Sequence, residues 1–272
     1  MMGLASRSLL IAGGALGIVL TLAAPAAPQS APVPNLQSAG GWSHPFHGAF
    51  PPVQGSALPV QQDPGHPYIN AILTNRIGDI SNPNLKPWAK EVMKKDNEEI
   101  NAGKIEFSAG SSCLPAGVPA FLQLPGPFFV LQTPTKVIIL EEQNQEVRTI
   151  YLNVPHSAVV KPSWYGESVG RYEGDTLVVD TIGLNTKTMI DLFRTPHTEK
   201  LHVVERWHLI DGGNMLEVNI TVEDPDTFYH PWETYQRYQR RQRPLQEWVC
   251  TENNQNQNLF DFHTPTADKV DF

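Results

Sequence analysis

Between Cys113 and about residue 254, apolar and polar residues alternate with period two, and turn-forming residues interrupt the pattern about every eight to twelve residues. Side chains on a strand point to opposite faces in turn, so this pattern commits the segment to sheet with one buried face. Eight strands are predicted, at 128–132, 136–141, 146–153, 168–172, 176–181, 201–210, 216–223 and 234–240. That number can close a barrel or build a sandwich. The long alternating hairpins favour a mostly β, antiparallel, lipocalin-like barrel, with a sandwich as the second choice. Such a barrel has room for one small ligand in its mouth.

Two hairpins predict their own register. Gly174-Asp175 supplies glycine where a type II′ turn requires it, pairing Tyr172 with Leu177 and Gly170 with Val179. Asp211-Gly212-Gly213-Asn214 forms a four-residue loop, and pairing Ile210 with Met215 then dictates every other partner. One face carries Leu209/Leu216, Trp207/Val218, Glu205/Ile220 and Val203/Val222. The other carries His208/Glu217, Arg206/Asn219, Val204/Thr221 and His202/Glu223. A slip of one residue would invert both faces, so their agreement supports this register.

The rest of the chain is organised differently. Residues 1–26 read as a secretory signal peptide, with Arg7 before an apolar stretch that is short for a spanning helix and softened by glycines, and small residues before a cut after Ala26; an uncleaved anchor is the alternative. The expected location is therefore periplasmic or secreted, with no stable membrane span after processing. Residues 27–64 are rich in Pro, Ala, Gly, Ser and Gln and reach residue 62 without a charged side chain, which reads as a tether or an extended wrapping segment. Trp42, Phe46 and Phe50 interrupt it, so part of it should pack on the domain. In the lead-in 65–112, residues 87–102 predict a surface helix with Pro87 in its first turn, Trp88 and Val92 on one face, and Gly103 as its stop. The domain then occupies 113–254, and 255–272 form a polar tail.

Composition narrows the function classes. The 24 prolines and 18% charged residues argue against helical bundles and coiled coils. Twenty Lys and Arg against 28 Asp and Glu leave no excess with which to neutralise phosphates, so no nucleic-acid partner is expected. No P-loop, GxGxxG, HExxH or CxxC occurs, and no cofactor is expected. Cys113 and Cys250 are the two cysteines, and in an exported chain they predict one disulfide.

One residue violates the pattern. Glu205 stands on the apolar face among Val, Leu and Trp, where a carboxyl group needs either a raised pKa, as a general base has, or a charged partner such as Arg171 or Arg148. His197, Glu199, His202, Glu205 and His208 fall close together and invite a metal reading, but on a strand His202 and His208 face away from Glu205, so no metal is expected. His197, in the loop after Pro196, is placed to act as an acid or base at a cavity mouth. Trp164, Tyr172 and Trp207 are candidates to line a small-molecule pocket, with Arg206 beside them. Arg237, Arg240, Arg241 and Arg243 form a local basic run, expected to be a solvated face.

The segments CLPAGVP (113–119), VGRYEGDTLVVDTIGL (169–184), PHTEKLHVVERW (196–207), EDPDTFYHPW (223–232) and EWVCTENN (247–254) together resemble a group of uncharacterised exported bacterial proteins. Tyr172 stands where that group is expected to have Trp, and Asn153 lies where it more often reads Asp-Gly-Arg. The resemblance implies export and the domain limits, and carries no activity with it. Three functions are then expected. In the first, the protein is a proton-transfer enzyme, an isomerase, lyase or hydratase, with Glu205 as base, His197 or His202 as acid and an aromatic substrate cradle. The second is a carrier or sensor binding a small apolar molecule in the same cavity. The third is an envelope structural protein whose barrel is filled by its own side chains. The oligomeric state is not predicted.

Overall fold

A computed structural model describes residues 33–44, 49–66, 76–102, 113–142, 146–247 and 249. The chain divides into residues 1–31 and 32–272, and everything described belongs to the second unit. The elements run β1 (Trp42–Ser43), α1 (Pro87–Asn101), β2 (Phe128–Gln132), β3 (Lys136–Glu141), β4 (Val147–Leu152), β5 (Glu167–Glu173), β6 (Thr176–Ile182), β7 (His202–Ile210), β8 (Met215–Glu223) and β9 (Trp232–Arg240). The strands form one closed barrel in sequence order, with β1 joined to both β2 and β9. The lipocalin-like barrel with a helix is therefore the fold.

Both hairpin registers match the expectation. Tyr172 pairs with Leu177 and Gly170 with Val179, and β7 pairs with β8 from His202↔Glu223 to Ile210↔Met215. Glycine chemistry sets these turns: Gly174 has φ 63°, while Asp211, Gly212 and Gly213 have φ 50°, 60° and 90° in succession. A run of left-handed residues is costly for side chains with a Cβ, and two of the three positions are glycine.

Three features differ from the antiparallel reading. The barrel has a ninth strand, β1, contributed by the proline-rich arm. It has two residues, Trp42 and Ser43, and Trp42 pairs with Phe128 on one side and Arg240 on the other. The described parts of the arm are packed accordingly, with Leu36, Trp42, Phe50 and Val60 buried. Next, β4 and β5 run parallel, which no turn signal announces. Finally, the buried stripe of α1 is Ala89, Met93, Asn97 and Ile100. Trp88 and Val92 do share a face, but it is more than one-third exposed, and Trp88 Nε1 donates to the Asp226 carbonyl at 2.6 Å. Asn97 belongs in the buried stripe because its amide bonds both backbone groups of Gly78. Among the described residues, no helix is long and apolar enough to cross a membrane.

Candidate functional site

Alternation sends Val203, Glu205 and Trp207 of β7 into the barrel, together with Leu177, Val179 and Thr181 of β6 and Val218 and Ile220 of β8, all at or near zero exposure. Arg148 enters from β4 with 2% of its surface exposed and crosses the interior to Glu205. Its two terminal nitrogens take one carboxylate oxygen each, Nη1 to Oε1 at 3.0 Å and Nη2 to Oε2 at 2.5 Å. The guanidinium also donates to the Ser168 hydroxyl, at 3.2 Å from Nε and 3.1 Å from Nη2, and to Thr181 Oγ1 at 2.9 Å. Its remaining face lies 5.0 Å from the centroid of the Phe121 ring. Glu205 thus has a charged partner, and that partner is Arg148. Arg171 sits on the outer surface with Glu173 at 2.5 Å.

Other contacts also span the interior between strands that are not neighbours. Phe128 of β2 meets Trp207 of β7 edge-on at 5.7 Å and Tyr238 of β9 at 4.8 Å. Tyr238 donates to the Leu122 carbonyl at 2.5 Å, from a short 3-10 turn, Ala120–Gln123, that is buried throughout. Burial, then the charge of Glu205, pushes the Tyr238 phenol well above its ordinary pKa, so it stays a donor. At one end, Tyr172 receives a hydrogen bond from Gln132 at 2.7 Å, and Gln132 also bonds Pro34 and Leu36 of the arm.

The candidates named from sequence therefore separate. Glu205, Trp207 and Tyr172 share the interior. His202 and Arg206 point outward from the same strand, His202 to Asp180 at 3.1 Å and Arg206 to Glu173 at 2.9 Å. Trp164 is half-buried in the loop before β5, with the Lys187 ammonium 6.0 Å from its ring centroid. His197 is 4% exposed, and both ring nitrogens are engaged, one with Thr188 Oγ1 and the other with the Thr198 carbonyl, each at 2.8 Å. A ring held at both nitrogens does not swing over a cavity. The Arg148 guanidinium sets one donor against each oxygen of Glu205, which has no exposed surface. Cys250 lies outside the described residues, as do Phe46 and Gly103, and no free cysteine occurs among the described ones. The basic run is consumed internally in part: Arg237 bonds Glu217, Arg240 stacks on Trp42 at 4.4 Å, and Arg243 bonds Glu142 at 2.5 Å.

Burial sets the protonation of His197. Desolvation holds its pKa below the ordinary imidazole value, against the hydrogen bonds and the charge of Asp224. The ring is neutral when folded while the unfolded chain's ring protonates more readily. The unfolded state then binds more protons, and stability falls as pH drops below the ordinary imidazole value. His197→Gln should flatten this acid limb, read as the change in Tm between about pH 7 and about pH 5. An unchanged slope in the variant would place the acid sensitivity elsewhere.

Two arrangements escaped the sequence reading. Residues 166–170 spell Gly-Glu-Ser-Val-Gly, the GxSxG pattern of a nucleophile elbow. Ser168 lies instead within β5, between strands rather than at a strand-to-helix turn, and its hydroxyl serves Arg148 and Thr181 in the closed interior. The second is a chain of ionisable groups on the outer wall. His156 lies 2.9 Å from both Glu167 and Asp180, and His202 lies 3.1 Å from Asp180 and 3.4 Å from Glu223. The register of β7 on β8 foretold His202 opposite Glu223. Residues 183–201 separate β6 from β7, so no short turn reveals that Asp180 stands beside His202. Among the described residues, no group of three His, Cys, Asp or Glu side chains is arranged to hold a metal ion. A hollow of about 350 Å3 at the end of β3 is lined by Leu140, Glu141, Glu142, Leu245, Gln246 and Glu247, none of them a candidate above.

No family model, curated protein or solved structure matches this chain.

Proposed function

We propose that this chain is a non-catalytic exported barrel whose interior is a packed core, and that it acts through its outer surface as a structural component of the cell envelope. The observation carrying this reading is the Arg148–Glu205 pair, which bridges the barrel and engages both oxygens of the carboxylate that the sequence offered as a base. Proton-transfer chemistry needs a base within hydrogen-bond reach of a substrate, and here the guanidinium holds that place. Export rests on the N-terminal sequence and on the motif resemblance. A Cys113–Cys250 disulfide, tying the start of the domain to the end of its last strand region, fits an oxidising compartment.

A second reading, a carrier for a small molecule, has one specific observation in its favour. Trp207 Nε1 and Gln236 Nε2 are buried donors with no hydrogen-bond partner among the described residues. Both flank Val218 in one cross-strand row, so both face inward. A bound acceptor would satisfy them. Native mass spectrometry of the purified exported protein decides between the two. The structural reading expects one folded mass equal to the denatured mass. A reproducible adduct lost on denaturation would replace it with the carrier reading.

A further inference from the structure

Parallel neighbours cannot be joined by a tight turn, and a crossover between them takes a dozen or more residues, usually with a helix. Residues 153–166 make the crossover from β4 to β5 without one. Near its far end the segment is held by backbone: Ser163 N–H donates to the Gly183 carbonyl at 3.0 Å, and Asn185 N–H to the Ser163 carbonyl at 2.9 Å. Beyond Asn153, the first half is held by side chains. Every residue from 153 to 159 is exposed except His156. His156 places one ring nitrogen 2.9 Å from Glu167 of β5 and the other 2.9 Å from Asp180 of β6. The neighbouring Ser157 bonds the same Glu167, through its amide at 2.7 Å and its hydroxyl at 2.5 Å.

We propose that residues 153–159 are a pH-responsive strap, clamped to the outer wall of the barrel while His156 is protonated and released when the ring loses its proton.

The geometry counts protons. A neutral imidazole donates from one nitrogen and presents a lone pair at the other, whereas an imidazolium donates from both. Both nitrogens of His156 face carboxylate oxygens, and so do both of His202, which shares Asp180 Oδ1 with His156 and meets Glu223 of β8. All four contacts are hydrogen bonds only when both rings are charged. The charged groups facing the two rings are Glu167 from β5, Asp180 from β6 and Glu223 from β8. With both rings protonated the cluster carries one net negative charge. With both neutral it carries three, and a lone pair on each ring points at a carboxylate. Contacts that require the protonated ring are present while the ring is charged and lost once it is neutral, so the strap opens on the alkaline side.

Hydrogen exchange of the full chain, read by mass spectrometry at about pH 5.5 and about pH 8 and corrected for intrinsic rates, tests this directly. The reporter is the Ser157 amide. Its protection is expected to fall about tenfold or more at the higher pH, while the Ser163 amide and the β7–β8 hairpin keep theirs. His156→Gln, on the surface and outside the core, should show the low protection at both pH values. Equal protection of Ser157 at the two pH values in the unaltered protein overturns the proposal, as does a drop that persists unchanged in His156→Gln. Neither result bears on whether the interior binds a ligand.

Discussion

Arg148→Met should cost about 3–5 kcal/mol of unfolding free energy, because it strands Glu205 as an uncompensated charge in a closed interior. The partner variant Glu205→Leu should cost a similar amount for the mirror-image reason. The double substitution Arg148→Met/Glu205→Leu should recover most of the loss, since buried ion pairs replaced by apolar groups of like volume are often neutral. Ser168 and Thr181 support this recovery: their hydroxyls already bond each other at 2.9 Å and are not left unsatisfied when the guanidinium goes. Urea denaturation of the four proteins supplies the cycle, with constant m values showing that only stability has changed. If both single variants prove neutral, the pair does not hold the barrel, and Glu205 regains interest as a chemical group. If the double variant is as damaged as the singles, the pair contributes packing or register that apolar side chains cannot replace.

Trp42→Ala should be comparably destabilising, by about 3–5 kcal/mol for a fully buried Trp, and should also change how the protein associates. Trp42 has no exposed surface, donates from Nε1 to the Leu36 carbonyl at 2.7 Å, and stacks under Arg240. It forms half of a two-residue strand, and that strand alone separates β2 from β9. Losing it leaves two strand edges with unpaired backbone groups, a template for pairing with another chain. The expected result is a lower urea midpoint together with concentration-dependent dimers or larger species in analytical ultracentrifugation. Trp42→Phe, which keeps the ring but loses the hydrogen bond, should remain monomer-like relative to the Ala variant and lose only about 0.5–1.5 kcal/mol. A monodisperse, fully stable Trp42→Ala protein would show that β1 does not seal the barrel.

The pH responses described above run in opposite directions and report on different places. The buried His197 destabilises the fold as pH falls, whereas His156 on the outer wall loosens one strap as pH rises. A global Tm reads the first and local exchange reads the second, so the two can be separated in one protein. Glu167 stays ionised at the lower exchange pH, because the Ser157 hydroxyl and amide, followed by His156, hold its carboxyl below the usual range.

How much of this was legible in the chain depends on the length over which each constraint acts. The register of β5 on β6 and of β7 on β8 was readable because each pair is joined by a short glycine turn, and period two then propagates the pairing residue by residue. The inward position of Glu205 and Trp207, and the outward position of His202 and Arg206, follow from that register alone. The charge that Glu205 requires was also readable as a need, since an isolated carboxylate among Val, Leu and Trp is too costly to bury. Which residue answers the need was not. Arg148 and Arg171 are both strand arginines, and only closure of the barrel turns one into the interior and leaves the other in solvent. The same closure decided the remainder: that two residues of an uncharged, proline-rich arm complete the wall, that β4 meets β5 in parallel, and that His156, Asp180 and His202 converge on the outside. Local sequence specifies neighbours across a turn, because chain connectivity brings them together at little entropic cost. Partners separated by tens of residues are chosen by the closed barrel, where burial and pairing are satisfied for all strands at once.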